Sequence, residues 1–466
     1  MLDQSFSDVL ANLRSTFHDG VTRDYQWRMG QLRALAGMLD EHEPAFADAL
    51  RLDLGKPSGE AYLTETGFLY REVRYVQKRL KSWMQPRRVR VPLPYQPARA
   101  SWCREPYGVV LIIGAWNYPL QLTVAPLISA LAAGNCVVLK PSEQAPAVAA
   151  LLTKLLPFYL DHRAIAVVEG GIEESRALLA LRFDHIFYTG SEQVGREVMQ
   201  AAARHLTPLT LELGGKCPCI VHHDTDLIVA ARRIVWAKFL NAGQTCVAPD
   251  YLLVHEEVEH SLLQLMQEEL VHYGVGRDGG GSASEQNVNM IVNQRHCARL
   301  EALVAGSVPA GSVPIDATGC RVGPAILTGM AADVPLMNGE IFGPLLPVFS
   351  YSELDDAIAV IASHGDPLAI YLFSRDKTVQ RRIAATTRSG ALSVNELVLH
   401  AAVHGLPFGG VGRSGFGRYH GESGFDAFSC QRSYFHRPLF PDNSLRYPPR
   451  SGLLFPLIRW FFSRFG

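Results

Sequence analysis

The chain has 466 residues, which exceeds the size at which a single hydrophobic core keeps growing, so we expect at least two domains. Lys and Arg number 44 and Asp and Glu 45, and the net charge of -1 supplies no basic field for a nucleic-acid backbone. The hydrophobic fraction of 48% and the charged fraction of 19% are typical of a well-buried globular protein. We therefore expect a folded protein that does not bind nucleic acid.

The N-terminus and the cysteines indicate the cellular compartment in which the protein is expected to function. The first five residues carry no basic segment ahead of an apolar core, which favours the cytoplasm over secretion or organelle import. The 8 cysteines lack the paired spacings of a disulfide framework or a zinc ribbon, so most are expected to be buried, reduced thiols. His255 and His260 are also spaced wrongly for two zinc ligands on one helix face. No metal site is predicted.

Residues 1–85 are predicted to be helical, because Leu32, Leu35, Met38 and Leu39 recur at helical spacing. From 82 to 106 the sequence becomes basic and is interrupted by prolines, which indicates an edge strand or an inter-domain arm.

Apolar runs and helical stretches then alternate regularly. Strands are predicted at 109–113, 136–139, 164–168 and 185–188, and helices at 122–133, 147–159, 173–181 and 192–204. This alternation predicts a parallel sheet covered on both faces, an architecture that binds nucleotides at the carboxyl ends of its strands. A second alternating region is predicted from 209 to 393, beginning with the strand 209–212. A Pro-rich link and an apolar tail end the chain.

Two familiar nucleotide motifs are absent. Gly190 and Gly195 have the glycine spacing of a phosphate-binding P-loop, but Arg196 and Glu197 follow where that loop needs Lys and then Ser or Thr. No glycine fingerprint opens a helix directly after 109–113, so the usual dinucleotide signature is missing too.

Seven short strings carry a more specific signal through their order along the chain. They are Trp116-Asn117-Tyr118-Pro119, Lys140-Pro141-Ser142-Glu143, Thr189-Gly190-Ser191, Leu211-Glu212-Leu213-Gly214-Gly215-Lys216, Gly243-Gln244-Thr245-Cys246, Glu340-Ile341-Phe342-Gly343-Pro344 and Pro407-Phe408-Gly409-Gly410. Together they resemble the aldehyde dehydrogenase superfamily, most closely its class 3 branch, which includes microsomal fatty aldehyde dehydrogenases. The resemblance covers roughly residues 5–450. It departs at Cys217, where the family usually has a small polar residue.

The resemblance implies three catalytic residues. Cys246 would be the nucleophile that forms a thioester, whereas a cysteine in a glycine-containing loop taken alone is more often inert. The Asn117 amide and the Cys246 backbone N–H would stabilise the oxyanion. Glu212 would be the general base for the water that cleaves the thioester. Without the resemblance, Asn117 would be interpreted as a turn residue and Glu212 as an ion-paired residue at a strand end.

The resemblance also implies an NAD site, with NADP as an alternative. Lys140 would contact the adenosine ribose, with Glu143 nearby. Glu143 would favour a free 2′-hydroxyl, and Lys140 would tolerate a 2′-phosphate. Taken alone, the two residues would be interpreted as a solvated pair in the loop after a strand.

Five further residues belong to the expected cofactor site. Gly190 and Ser191 precede a predicted helix whose N–H groups would face the pyrophosphate, and Gly195 would allow close approach. Ordinary helix capping by Ser191 is the competing interpretation. Glu340 and Phe342 resemble the residues that hold the nicotinamide ribose and ring. Without the resemblance, their string reads as a turn.

The resemblance divides the expected α/β fold into two doubly wound parallel-sheet domains and a small bridging arm. The predicted parts are an NAD(P)-binding domain (1–81 and 107–208), a catalytic domain (209–418), an arm for bridging and oligomerisation (82–106 and 419–447) and a hydrophobic tail (448–466). A homodimer is expected.

The apolar tail gives an indication of the class of aldehyde substrate and of a contact with membranes. Its apolar stretch is shorter than the roughly 20 residues a bilayer span needs, so it would lie in a membrane interface or fold against the body or the dimer partner. Together with the resemblance, the tail points to medium- or long-chain aliphatic aldehydes, with aromatic aldehydes as an alternative. Two other hypotheses remain, namely acyl transfer to coenzyme A and a non-catalytic protein on the same fold.

Overall fold

The computed structural model of the chain describes residues 5–273, 289–309, 312–331, 333–442, 447 and 455–465. The α-helices in these residues are α1 (Phe6–His18), α2 (Tyr25–Glu41), α3 (Glu43–Leu54), α4 (Ser58–Ala61), α5 (Gly67–Trp83), α6 (Gln121–Ala133), α7 (Pro146–Tyr159), α8 (Ile172–Leu179), α9 (Glu192–Ala203), α10 (Leu227–Phe239), α11 (Glu256–Leu270), α12 (Gln294–Ala305), α13 (Leu354–Ser363), α14 (Lys377–Thr386), α15 (Gly421–Ala427) and α16 (Phe455–Phe465). A π-helical turn, Tyr62–Thr66, joins α4 to α5.

The β-strands of the described residues form two large sheets, the three-stranded arm sheet and one short hairpin. They are β1 (Arg87–Val89), β2 (Arg99–Pro106), β3 (Val109–Ile113), β4 (Cys136–Lys140), β5 (Ile165–Val167), β6 (His185–Thr189), β7 (Leu209–Glu212), β8 (Pro218–Val221), β9 (Tyr251–His255), β10 (Ile315–Asp316), β11 (Arg321–Val322), β12 (Ala325–Leu327), β13 (Leu345–Tyr351), β14 (Ala369–Phe373), β15 (Ala391–Val394), β16 (Gly415–Phe416) and β17 (Ser429–His436).

The first large sheet has the strand order β16-β7-β6-β3-β4-β5 and is parallel except for β16. Strands β3 and β4 are buried along their whole length, as expected for uninterrupted apolar runs covered by helices on both faces. The predicted strands and helices between 109 and 204 are confirmed to within two residues at every end. The α/β class and the parallel sheet are therefore confirmed.

The sequence indicated that the strand 209–212 begins the second sheet, but in the structure it belongs to the first. It is β7, which pairs in parallel with β6 and places Glu212 opposite Thr189 at the carboxyl edge of the first sheet. The short strand β16 continues this sheet from β7. An apolar run identifies a strand but not its partner, so the prediction was wrong about the sheet to which the strand belongs.

The second large sheet has the order β12-β13-β9-β8-β14-β15, and all its pairings are parallel. Both large sheets share one extensive apolar core. Helix α2 contributes Leu32, Leu35 and Met38 to it, and these side chains are fully buried, as their helical spacing predicts. The loops at the facing edges of the two sheets carry the predicted site residues.

The arm is an antiparallel sheet of order β1-β2-β17. The predicted arm also included residues 421–427, but these form α15, which packs on α5 and α6 of the main body.

The described part of the tail is α16, which packs against residues 93–95 of the arm. The rings of Tyr95 and Phe462 meet edge to face with centroids 5.9 Å apart. No helix among the described residues is long and apolar enough to span a membrane. Of the predicted N-terminal domain and tail, residues 1–4, 448–454 and 466 lie outside the described residues.

Candidate active site

Lys140 and Glu212 end two strands of the first sheet at its carboxyl edge. Lys140 is buried, and its ammonium donates to Glu143 Oε2 at 2.9 Å and to the carbonyl of Pro141 at 3.2 Å. Lys140 and Glu143 therefore form an ion pair, as the alternative interpretation had it, but the lysine is buried and only the glutamate is exposed to solvent.

Gly190 and Ser191 directly precede α9, and Gly195 lies in its first turn, at this same edge. The N–H of Gly190 donates to the Glu212 carbonyl at 3.0 Å, and a Cβ at Gly195 would lie 2.8 Å from a methyl of Leu213. The Ser191 hydroxyl accepts from the N–H of Val194 at 3.4 Å, so Ser191 caps the helix. The capping interpretation is confirmed, and the open N-terminus of α9 lies at the edge where nucleotides bind in such sheets.

The loop before Cys246 has an unusual backbone. Asn241, Ala242 and Gly243 follow one another with φ of 53°, 54° and 71°, in the left-handed region that non-glycine residues rarely adopt. A Cβ at Gly243 would lie 2.2 Å from the carbonyl oxygen of Gly343, so only glycine fits this turn. The Cys246 loop is thereby packed against the loop that carries Glu340 and Phe342.

Asn117 is tied directly to the Cys246 loop. Its buried side-chain amide donates to the Gln244 carbonyl at 3.1 Å. The Asn241 amide donates to the Asn117 carbonyl at 2.7 Å. An amide nitrogen carries two hydrogens, so the bond to Gln244 fixes the side chain and leaves one donor for another acceptor.

A buried ion pair that the sequence analysis missed supports the same loop. Lys56 lies 2.5 Å from Glu65, and its ammonium also sits 4.2 Å from the centre of the Tyr118 ring. The Tyr118 hydroxyl shares a 2.6 Å hydrogen bond with Thr245, next to Cys246. Glu65 also accepts from the backbone N–H of Leu120 at 2.9 Å, so the pair orders the segment that follows Asn117.

Cys246 is partly exposed, in contrast to the buried Cys217 and Cys219. The pKa of Cys246 is raised to about 12, chiefly by burial of its sulfur and to a smaller extent by the nearby carboxyls of Glu340 and Glu212. These two carboxyls therefore lie within electrostatic range of the thiol.

Glu212 is 3% exposed, and neither of its carboxyl oxygens has a hydrogen-bond partner among the described residues. Burial raises the pKa of Glu212 well above its ordinary value, and the Arg418 guanidinium opposes this shift. A Cβ at Gly409 would lie 2.9 Å from Glu212 Oε1, which explains the glycine in the Pro407-Phe408-Gly409-Gly410 string. A buried carboxyl with a raised pKa suits proton transfer, because its carboxylate form is a stronger base than that of an exposed glutamate.

Glu340 faces the glycine pair that follows β7. A Cβ at Gly214 would lie 2.0 Å from Glu340 Oε2, and the N–H of Gly215 donates to the Glu340 carboxyl. Burial and then the Asp250 carboxylate raise the pKa of Glu340 to about 8. Phe342 has a φ of 48°, and its ring meets Trp116 edge to face at 5.2 Å.

Comparisons with known proteins identify the family. The model of the aldehyde dehydrogenase family matches residues 9–433. The chain belongs to the aldehyde dehydrogenase family. It is an NAD(P)-dependent oxidoreductase, and aldehyde oxidation to a carboxylic acid is its reaction class.

The relatives are similar over nearly their whole length. Aldehyde dehydrogenase family 3 member H1 of Arabidopsis thaliana is 46% identical over 96% of this chain and 92% of its own length. The dimeric NADP-preferring aldehyde dehydrogenase of Canis lupus familiaris is 43% identical over 95% of this chain and 97% of its own. A substrate-bound structure of AldH from Staphylococcus aureus has a TM-score of 0.94 at 39% identity, covering 99% of this chain and 100% of that one. The resemblance to class 3 aldehyde dehydrogenases is confirmed.

Proposed function

We propose that this aldehyde dehydrogenase oxidises its substrate through a thioester on Cys246. The observation that supports this assignment is the convergence of three groups from distant parts of the chain. The Asn117 amide donates to the carbonyl of Gln244, which lies two residues before Cys246. The Glu212 carboxyl lies close enough to the Cys246 thiol to raise its pKa. Such a set provides a nucleophile, an oxyanion donor and a base.

The first step is attack on the aldehyde carbon. Cys246 loses its proton to solvent and forms a C–S bond, and the carbonyl π electrons move to the oxygen. The oxyanion accepts from the second N–H of the Asn117 amide and from the backbone N–H of Cys246. One such donor is worth about 3 kcal/mol of barrier, or a factor of roughly 10²–10³ in rate. The bond from Asn117 to Gln244 supports this role, because it orients the amide before substrate arrives.

The second step is hydrolysis. The thioester left on Cys246 after oxidation is attacked by water, whose proton passes to the carboxylate form of Glu212 while the C–S bond breaks. Burial of both carboxyl oxygens without a hydrogen-bond partner among the described residues leaves them available to a water molecule. The carboxylic acid leaves, and Cys246 recovers its proton.

The residues at the carboxyl edge of the first sheet fit a dinucleotide. Lys140 and Glu143 would hold the adenosine ribose, the start of α9 at Gly190 and Ser191 the pyrophosphate, and Glu340 the nicotinamide ribose, with Gly195 allowing close approach and Phe342 beside the ring. The position of Glu340 supports its place in this site, because its carboxyl lies against Gly214, just after β7 at the carboxyl edge of the first sheet. A Cβ at Gly214 would lie 2.0 Å from that carboxyl. Bound NAD or NADP supplies the hydride acceptor. We assign residues 1–81 and 107–208, extended by β7, to this cofactor domain.

We further propose residues 213–418, without β16, as the catalytic domain and residues 82–106 and 428–447 as the arm. The arm is expected to bridge a homodimer, as the name of the canine relative says of that protein.

The proposed substrates are medium- or long-chain aliphatic aldehydes. The support is the class 3 relationship together with α16, which exposes Phe455, Trp460 and Phe462 beside the arm. The arm there carries the exposed residues Arg88 and Arg90, so an apolar and a basic surface adjoin. We propose that this face contacts an anionic membrane surface peripherally while the body stays in the cytoplasm.

The experiment that tests the proposed function is a pre-steady-state assay of Glu212→Gln. We expect a burst of NADH equal to the enzyme concentration, followed by turnover slowed at least about a hundredfold, because the thioester forms but is not hydrolysed. Intact mass spectrometry should detect the acyl group on Cys246. Unchanged steady-state turnover would contradict the assignment of Glu212. Faster turnover of the unmodified enzyme with coenzyme A would favour acyl transfer instead.

A further inference from the structure

Lys216 ends one of the strings that mark the sequence, yet none of the proposed steps uses it. Its side chain is buried and lies 2.5 Å from Asp250, which is buried as well. The Lys216 ammonium also donates to the carbonyls of Leu336 at 2.8 Å and Gly339 at 3.0 Å. All three hydrogens of the ammonium are thus donated in hydrogen bonds to Asp250 and to the segment just before Glu340.

Asp250 binds the same loop from the other end. Its Oδ1 accepts from the backbone N–H of Ile341 at 3.0 Å, while Oδ2 accepts from Lys216. The ion pair therefore forms hydrogen bonds with the peptide group just before Glu340, through the Gly339 carbonyl, and with the one just after it, through the Ile341 N–H. A buried pair whose remaining hydrogen-bonding groups are also satisfied specifies geometry more than it adds stability.

Arg299 holds the segment from a third direction. This residue of α12 donates to the Ile341 carbonyl at 2.6 Å, and its guanidinium reaches the carbonyls of Glu340 and Phe342 at 3.5 Å. Donors from Lys216 and Arg299 and the acceptor Asp250 thus contact every residue from 339 to 342. We call Lys216, Asp250 and Arg299 the loop clamp.

The segment needs such support for two reasons. Phe342 has a φ of 48°, a strained conformation for an aromatic residue that persists only where the surroundings impose it. Glu340 carries a carboxyl into a buried position against Gly214, where free movement of the loop would displace it.

The loop clamp is also linked to the nucleophile. The N–H of Asp250 donates to the Cys217 carbonyl at 2.7 Å, and the Cys217 thiol contacts the Cys246 carbonyl at 3.4 Å. One buried network therefore sets the position of Glu340 relative to Cys246.

We propose that Lys216, Asp250 and Arg299 are positioning residues that hold Glu340 and Phe342 in the geometry that binds the nicotinamide end of the cofactor. The inference rests on the proposed function, because it assigns Glu340 and Phe342 to that end. The three residues act through the loop backbone and need not touch the cofactor.

Arg299→Gln is the primary test, because Arg299 is only half-buried and its removal leaves no lone charge in the core. Arg295→Gln is the matched control on the same helix, since Arg295 is exposed and makes no hydrogen bond to residues 339–342 among those described. The dissociation constant of NADH is measured by fluorescence, without turnover. We expect it to rise about tenfold in Arg299→Gln and to stay at the original value in the control.

Two further readouts separate positioning from general damage. The KM for NAD should rise with the dissociation constant while the KM for aldehyde stays near its original value. Alkylation of Cys246 by iodoacetamide in the cofactor-free protein should keep its rate. An equal loss of cofactor affinity in both arginine variants, or no loss in Arg299→Gln, would overturn the proposal.

The double variant Lys216→Met with Asp250→Asn removes both buried charges together. Provided that circular dichroism shows a folded protein, NADH affinity should fall at least as far as in Arg299→Gln, and a folded double variant with normal affinity would contradict the proposal. If the double variant does not fold, Arg299→Gln decides alone. Because NADH binding needs no nucleophile, these outcomes are independent of whether Cys246 forms a thioester.

Discussion

Cys246, Glu212 and Glu340 interact at close range, and each retains its proton more strongly than an exposed group does. The pKa of Cys246 is raised to about 12 and that of Glu340 to about 8, in both cases chiefly by burial. Burial likewise raises the pKa of Glu212. The thiol must therefore lose its proton before it can attack, and Glu212 can accept a proton from water only in its carboxylate form.

This arrangement predicts the pH dependence of Cys246 alkylation in the cofactor-free protein. The rate should rise with pH throughout the alkaline range, because thiolate is scarce below the raised pKa. Glu340→Gln should react faster than the unmodified protein above about pH 8, where Glu340 is ionised and opposes thiolate formation. Near pH 6 the two should agree, because Glu340 is then protonated.

Iodoacetamide incorporation, followed by intact mass spectrometry, measures these rates. The control is Glu173→Gln, since Glu173 is an exposed glutamate on α8. Equal rates for Glu340→Gln and unmodified protein at about pH 9.5 would contradict the electrostatic coupling.

The raised pKa of Glu212 also predicts a stability difference. Above the ordinary value of 4.5 an unfolded chain loses this proton while the folded protein keeps it, so stability falls as pH rises from there towards the folded pKa. Glu212→Gln cannot ionise and escapes this loss. Relative to the unmodified protein, it should become progressively more stable as the pH rises from about 5 towards the folded pKa of Glu212.

Urea unfolding at several pH values gives the comparison, again with Glu173→Gln as the exposed control. A constant difference between Glu212→Gln and the unmodified protein over that range would mean that Glu212 ionises normally in the folded state.

At the scale of elements, the loop before Cys246 depends on its backbone. Gly243 combines a positive φ with a Cβ position 2.2 Å from the Gly343 carbonyl oxygen. Gly243→Ala should therefore reduce the free energy of unfolding by about 2 kcal/mol or more and slow turnover, since the Cys246 loop must shift.

Gly329→Ala is the matched control for Gly243→Ala. Gly329 also has a positive φ, of 69°, but a Cβ there would meet no atom within 4 Å. It should carry the backbone strain alone, about 1 kcal/mol, with normal turnover. Equal effects of both substitutions on turnover would rule out the clash as the cause.

The elements were largely predictable because their signals are local. Continuous apolar runs gave β3 and β4, and helical spacing gave α2. The partner of a strand is not a local property, so β7 was predicted in the wrong sheet.

The site was predictable only where short strings carried the family resemblance. The resemblance pointed to Cys246, Glu212 and Asn117, and no spacing in the sequence reveals that the fold brings these three residues near one another. The ion pairs Lys56–Glu65 and Lys216–Asp250 were missed because a buried charge is recognised only when its partner is known. A lysine in an otherwise apolar or glycine-rich string, such as Lys216, is the one local sign available.

At the scale of the whole molecule, the arm and tail form an exposed apolar and basic face. Deleting residues 452–466 removes α16 and its aromatic side chains, so the protein should move from the membrane pellet to the supernatant. Cosedimentation with anionic vesicles measures this, and Trp460→Ser should have a smaller effect in the same direction.

The oligomeric state of the truncated protein distinguishes the alternative role of the tail. Sedimentation analysis should find the same assembly with and without residues 452–466. Loss of the dimer without any change in vesicle binding would mean that the tail packs on a partner subunit instead of a membrane.

The most direct test of the whole account is NADH formation by Cys246→Ala supplied with aldehyde. We expect a rate lowered at least about a thousandfold, with NADH binding retained, because the sulfur forms the bond on which oxidation depends. Cys320→Ala, which removes a partly exposed thiol from a distant turn, should keep the normal rate. Normal NADH formation by Cys246→Ala would contradict the thioester mechanism.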